Sequence, residues 1–166
     1  TIHVGEVLES KSMLTAMKWI VECVSLNKAN RLGHCTALGV PPIAYKNITT
    51  TESNKQWCST LKWMLNNQEI LFHHGFSVDT SAVKKELSTF ISNPHKNKEY
   101  LYDDYVIKQL QEMQSAVAGI LRTKEIVIES CPTSNMMIGQ IPFLEYHPLR
   151  FFCKQNLWPI SKHFFI

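Results

Sequence analysis

The stretch "RLGHCTALGVPP", residues 31–42, sets the organisation of this chain. Arg31 to His34 form a short strand-like run. We predict that the residues that follow form a loop, which Pro41 and Pro42 keep out of a helix because proline lacks the backbone N–H. A strand that ends in a polar histidine and then a loop is typical of an α/β sheet, so the segments on either side decide the fold class.

The segments upstream of residue 31 predict a strand and a helix. Residues 2–4 alternate around His3 and turn at Gly5. From Ser12, apolar residues recur at three- and four-residue steps until the polar residues 27–30 end the pattern. A strand, a helix and a second strand therefore occupy the first 34 residues.

Downstream, the pattern becomes helical between residue 45 and about residue 125, and we expect no strand there. Ser53 and Thr80 are predicted N-caps. Residues 126–131 then form a buried-type strand that Pro132 stops, and a helix begins after Pro148. The three middle helices are marked by apolar residues at helical spacing: Trp57, Leu61, Met64 and Leu65; Val83, Leu87, Phe90 and Ile91; Val106, Leu110, Met113, Val117 and Leu121.

Without the middle block, the order is strand–helix–strand, a connection, then strand–helix–strand. This order predicts an α/β fold with a parallel sheet and crossover helices. Active residues in such sheets follow the carboxyl ends of strands. Three polar clusters fall there, at His3–Glu6, Gly33–His34 and Ser134–Asn135. We expect these clusters to converge in space.

The composition excludes several protein classes. Among 166 residues, 45% are hydrophobic and 19% are charged, which is typical of a globular domain and not of disorder. The net charge of +3 is scattered, which argues against a dedicated nucleic-acid surface. No apolar run matches a membrane span or a signal peptide. The five cysteines have wide spacings and no CxxC pair, so we expect neither a disulfide framework nor a zinc ribbon, and a cytoplasmic location.

Outside these clusters, other residues have structural interpretations. The adjacent His73 and His74 are predicted to lie in a surface turn, since neighbouring histidines point in different directions. The spacing of the aromatic residues Trp57, Trp63, Phe72 and Phe76 favours a core or an interface over base stacking.

Three motifs, "TIHVGE", "RLGHCTALG" and "IESCPTSNMMIG", together resemble the adenosine deaminase family of the amidohydrolase superfamily. That family carries His-Ala-Gly-Glu, then Arg-[Ile/Leu]-Gly-His-Gly, then Glu-x-Cys-Pro-x-Ser-Asn. The resemblance covers about residues 1–40 and 126–161. It implies a partial (β/α)8 TIM-type barrel, in which this chain supplies the second half, strands five to eight. Residues 1–44 and 126–166 would form the half-barrel, and residues 45–125 a mostly helical insertion.

The resemblance also implies roles for individual residues. His3 matches a zinc ligand, Glu6 the acid that protonates the purine ring, and His34 the histidine that orients zinc-bound hydroxide. Ser134, Asn135 and Gly139 match a motif that shapes the site. Zinc lowers the pKa of its bound water to about 7 and so supplies hydroxide at neutral pH. The implied reaction is zinc-dependent hydrolytic deamination.

The sequence departs from the family pattern at several places. The first-strand His-x-His pair has no counterpart, and residues 162–165 stand where an aspartate ligand is expected, so the tail is either truncated or altered. Cys35 replaces a glycine. The long block between His34 and Cys131 resembles the enlarged deaminase of bacterial antiphage systems of the RADAR type. With one matched zinc ligand, His3, we expect the 166-residue chain alone to be inactive, as a fragment of a full deaminase.

Two functions therefore remain open. The first is deamination of a purine nucleoside or nucleotide, with adenosine, deoxyadenosine, a nucleotide and an adenine in RNA not distinguished. Its partners would be the substrate, the N-terminal half of the barrel and, through residues 45–125, further copies of the chain. The alternative is a non-catalytic degenerate half-barrel that acts as a structural or interaction module.

Overall fold

A computed structural model describes residues 2–5, 11–26, 28–130, 136, 141, 143–157 and 159–161 of the chain. The strands are β1 (Ile2–Val4), β2 (Arg31–His34), β3 (Thr49–Glu52), β4 (Lys98–Leu101), β5 (Val127–Ser130) and β6 (Pro159–Ser161). The helices are α1 (Met13–Leu26), α2 (Thr36–Gly39), α3 (Asn54–Asn66), α4 (Gln68–His73), α5 (Thr80–Ser92), α6 (Asp104–Thr123) and α7 (Pro148–Lys154). Two 3₁₀ turns span Pro42–Tyr45 and Leu144–Tyr146.

The central feature is a four-stranded parallel sheet in the order β1-β2-β5-β6. The predicted α/β class and the parallel pairing are confirmed. Within the described residues this sheet is open and does not close into a barrel. The partial (β/α)8 barrel therefore stays a prediction.

The helix α1 packs against strand β1 and against the long helix α6. Met13, Met17 and Ile20 of α1 are fully buried, as are Met113 and Ile120 of α6. Full burial of such a side chain stabilises the fold by about 1.5–3 kcal/mol each. Because α6 leads directly into β5, it ends the long crossover that joins β2 to β5.

The expectation that no strand interrupts residues 45–125 is wrong. The strands β3 and β4 form a separate antiparallel pair, in which Thr50 lies opposite Tyr100. Neither strand joins the four-stranded sheet, because β2 pairs directly with β5. The division of the chain into residues 1–44 with 126–166, and residues 45–125, stays a prediction.

The helix starts follow the capping chemistry, with one correction. Ser53 caps α3 and its side chain accepts a hydrogen bond from the backbone N–H of Gln56, as predicted. The prediction for Thr80 is wrong, since Asp79 is the N-cap of α5. Its carboxylate accepts from the N–H of Ala82 at 2.9 Å. An acidic side chain is also favoured by the partial positive charge at a helix N-terminus.

The aromatic residues of the middle block are mostly core residues. Trp57, Trp63 and Phe76 are buried, whereas Phe72 is 70% exposed. His73 is exposed at the end of α4, as the surface-turn prediction requires. His74 differs, since it is half-buried.

Candidate functional site

The candidate site lies on one face of the four-stranded sheet. His3, Gly33 and Glu129 are in register across β1, β2 and β5. Since successive side chains in a strand point to opposite faces, this row faces away from Leu32 and Ile128, which are fully buried. The sheet therefore has an apolar side and a side on which polar residues meet.

The structure brings His3 and His34 together. Their ring centroids are 4.8 Å apart, with the rings inclined by 74°. The parallel strand order predicts this proximity, because both residues approach the carboxyl ends of adjacent strands. Glu6 and the cluster at Ser134 and Asn135 lie outside the described residues. The catalytic and metal-binding roles of His3, Glu6 and His34 stay predictions.

The backbone at the end of β2 explains how His34 reaches His3. His34 has a φ of 66° and Cys35 a φ of 47°, both in the left-handed region that non-glycine residues rarely adopt. This conformation ends the strand alternation at His34, so its ring can lie against a residue of the opposite face. Strained backbone of this kind is found at functional sites more often than elsewhere.

Two hydrogen bonds hold this strained turn against the end of β1. The backbone N–H of Cys35 donates to Val4 O at 3.1 Å, and that of Ala37 donates to Gly5 O at 3.0 Å. Gly5 itself has a φ of 75°, which agrees with the turn predicted there. The ends of β1 and β2 are therefore fixed relative to each other.

The imidazole of His3 lies across Gly33. A Cβ at Gly33 would stand 2.7 Å from His3 Cδ2 and 3.1 Å from His3 Cγ, both shorter than a normal van der Waals contact. Glycine at residue 33 is thus required for the position of the His3 ring. His3 is exposed, whereas His34 is only 7% exposed.

The ion pair between Glu129, the acidic residue of this row, and Arg31 was not predicted from the sequence. Glu129 is 5% exposed and Arg31 Nε lies 3.2 Å from its Oε1. A buried carboxylate needs such a partner, because an unpaired charge in the interior is costly. The alternation of β2 and β5 would place both residues on one face, but their pairing needs the strand order, which sequence alone does not give.

Cys35 does not act as a nucleophile in this arrangement. The side chain is fully buried, and burial raises the pKa of its thiol well above the ordinary range, with the nearby Cys23 adding to the effect. The reactive form of cysteine is the thiolate, so a thiol that stays protonated at neutral pH is unreactive. Cys35 fills space beneath the turn.

The described residues contain no group of three or more His, Cys, Asp or Glu side chains placed to hold a metal ion. In the same part of the chain, no helix has the length and apolar character needed to cross a membrane. The comparisons with known proteins add no identity: no protein-family model matches the chain, and no curated protein matches it.

Proposed function

We propose that this chain is part of a zinc-dependent hydrolase that removes the amino group from an adenine nucleoside or nucleotide, and that it forms the second half of a (β/α)8 barrel. The observation that carries this proposal is the contact between His3 and His34 at the carboxyl edge of adjacent parallel strands. Two motifs of the resemblance thus meet at the edge where α/β proteins hold their active sites.

The described residues supply one suitable zinc ligand, His3, but not a complete ligand set. Imidazole nitrogen is an ordinary zinc ligand, and the His3 ring is exposed. A catalytic zinc takes about three protein ligands, and the described residues hold no such group. His3 would therefore be one ligand of a set that the described residues alone do not complete. When bound, the metal would supply hydroxide at neutral pH.

The chain's own residues would position and protonate the substrate. Glu6, which lies outside the described residues and follows Gly5 in the sequence, would deliver a proton to the purine ring. His34 is held by its strained backbone against His3 and would orient the attacking oxygen by hydrogen bonding. The ion pair between the buried Glu129 and the partly exposed Arg31 would hold the neighbouring strand β5 in place beside them.

The test measures zinc content and ammonia release from adenosine, deoxyadenosine and AMP. We expect no turnover by the 166-residue chain, and one zinc with turnover in the complete translated product of its gene. In that product, Glu6→Gln should lower kcat by about 10²–10⁴-fold and keep the metal, which is the usual contribution of a general acid. His34→Gln should also lower kcat.

Two matched variants control for the loss of a charge or an imidazole far from the site. Glu112→Gln on α6 and His95→Gln replace exposed residues and should leave turnover unchanged. A complete product that contains no zinc and releases no ammonia would contradict the proposal and favour the non-catalytic module. Turnover by the 166-residue chain alone would show that its ligand set is already complete.

A further inference from the structure

A cavity whose lining includes neither His3 nor His34 lies between the end of α2, the middle of α6 and the helix α7. Its volume is about 360 Å³, which falls within the range of small-molecule sites. Walls from three helices make it concave, and α2 and α7 pack directly against each other. The cavity is therefore built by tertiary packing.

Two positively charged side chains on one face of α7 line this cavity. Arg150 and Lys154 are four residues apart, so both side chains project from the same side of the helix. Lys154 forms no ion pair with any described residue, and Arg150 makes one long contact, from Nη1 to Glu145 O at 3.5 Å. The carboxylate of Glu145 is the acidic group in the lining. The cavity thus carries an excess of positive charge with free donors.

A further polar side chain of this cavity comes from α6. Gln114 lines the cavity and is only 2% exposed. Its Nε2 donates to Ala37 O at 3.1 Å and to Val40 O at 2.7 Å, which fixes the orientation of the amide. Both N–H groups are thereby used, and Oε1 accepts no hydrogen bond from any described residue. Oε1 is therefore left to accept a hydrogen bond from a donor on a ligand in the cavity.

The remaining lining supplies flat apolar surface. Pro42 and Phe151 contribute to the wall, and the Phe151 side chain is half-buried. An aromatic ring and a proline can pack against a planar ligand ring. Charge, acceptor and apolar surface together restrict the class of ligand.

We propose that this cavity binds a mononucleotide, with the phosphate on Arg150 and Lys154, a base N–H donating to Gln114 Oε1, and the base against Phe151. A nucleoside lacks the anionic group, and inorganic phosphate lacks the donor and the ring. Each should therefore bind more weakly than the complete mononucleotide. The site does not depend on the proposed deaminase activity, since none of its residues belongs to the histidine cluster.

Calorimetric titration of the 166-residue chain with AMP, adenosine and inorganic phosphate tests this inference. We expect saturable AMP binding, weaker by tenfold or more for adenosine and for phosphate. Because hydrogen bonds to charged groups are the strong ones, Arg150→Gln/Lys154→Gln should weaken AMP binding at least about tenfold. Both residues are exposed, so this variant should keep its fold.

Two controls separate the cavity from other effects. Lys84→Gln/Lys85→Gln removes the same charge from the exposed surface of α5 and should not change AMP affinity. His34→Gln tests instead whether AMP binds at the histidine pair. The proposal is overturned if AMP does not saturate, or if the Arg150 and Lys154 variant binds AMP as well as the unmodified chain. Loss of binding in His34→Gln would move the site to the histidine cluster and equally overturn it.

Discussion

Gly33 is the residue on which the position of the His3 ring depends. A methyl group at residue 33 would overlap the imidazole, so we expect Gly33→Ala to displace the ring and to break its contact with His34. His3 is exposed, and the fold should survive the change. The measurement is the imidazole NMR spectrum of both histidines, in which the signals of His3 and His34 should shift together.

A double-mutant cycle isolates this overlap from other effects of the substitution. In a His3→Ala background the imidazole is gone, so Gly33→Ala should cost less stability there than in the unmodified chain. The coupling energy between contacting residues is typically about 0.5–3 kcal/mol. Equal costs in both backgrounds would show that the His3 ring does not lie over residue 33.

His74 should make stability depend on pH. Its pKa is lowered from its ordinary value of 6.5, first by burial and then by the neighbouring His73 and Arg122. The folded state therefore favours the neutral ring, while the unfolded chain takes up a proton below about pH 6.5. Stability should be complete above that pH and fall as the pH decreases. Urea midpoints at pH 7.5 and 5.0 should differ less in His74→Gln, while the exposed His95→Gln should keep the original dependence.

At the scale of elements, Ser12 joins the start of α1 to strand β3. Its Oγ accepts from the N–H of Thr15 at 3.2 Å and donates to Glu52 Oε2 at 2.9 Å. Both Ser12 and Glu52 are fully buried. The hydroxyl thus caps a helix and satisfies a buried carboxyl oxygen, while Oε1 of Glu52 has no hydrogen-bond partner among the described residues.

Ser12→Ala should therefore be more destabilising than loss of an ordinary cap. Removing an N-cap costs about 0.5–2 kcal/mol, and leaving a buried polar group unsatisfied adds about 1–3 kcal/mol. Ser53→Ala, at the exposed cap of α3, removes only the first contribution and is the matched control. In urea unfolding, the midpoint of Ser12→Ala should lie at a lower urea concentration than the midpoint of Ser53→Ala. The same midpoint for both variants would contradict the role of the Ser12–Glu52 contact.

The helices and strands that could be predicted from the sequence are those whose own residues carry a clear apolar pattern. The apolar stripes of α1, α3, α5 and α6 repeat over three or more turns, and the buried run of β5 is bounded by turn residues. The strand order then predicted that His3 and His34 would meet. These features follow from periodicity and from the geometry of parallel sheets.

The elements that were missed depend on distant partners. The strands β3 and β4 are short and polar, about 50 residues apart in the chain, and stabilised by pairing with each other. The helix α4 has six residues and follows α3 after Asn67 alone. The Arg31–Glu129 pair and the cavity acceptor Gln114 likewise arise only when separate elements pack. No local periodicity carries such information.

At the scale of the whole molecule, the structure is held by contacts between residues far apart in the sequence. The helix α2, which follows the histidine turn, packs against α7 near the other end of the described chain. Arg122 of α6 also donates to Gln155 just after α7. The exposed Phe72 and Ile91 lie within residues 45–125, and self-association through that segment stays a prediction.

The contact between α2 and α7 leaves no space for a side chain at Gly39. A Cβ there would lie 2.7 Å from Pro148 Cα and 2.9 Å from a ring carbon of Phe152. Backbone and a fully buried ring cannot move aside, so we expect Gly39→Ala to destabilise the fold by about 1–3 kcal/mol.

Gly119→Ala is the matched control. Its Cβ would meet His74 Nδ1 at 2.6 Å, but that side chain is half-buried and can rotate. Alanine also favours the helix interior by about 1 kcal/mol, so Gly119→Ala should be close to neutral. Urea unfolding should separate the two variants clearly. Equal midpoints would mean that α7 does not pack on α2 as closely as described, and the cavity between α2, α6 and α7 would then lose one of its walls.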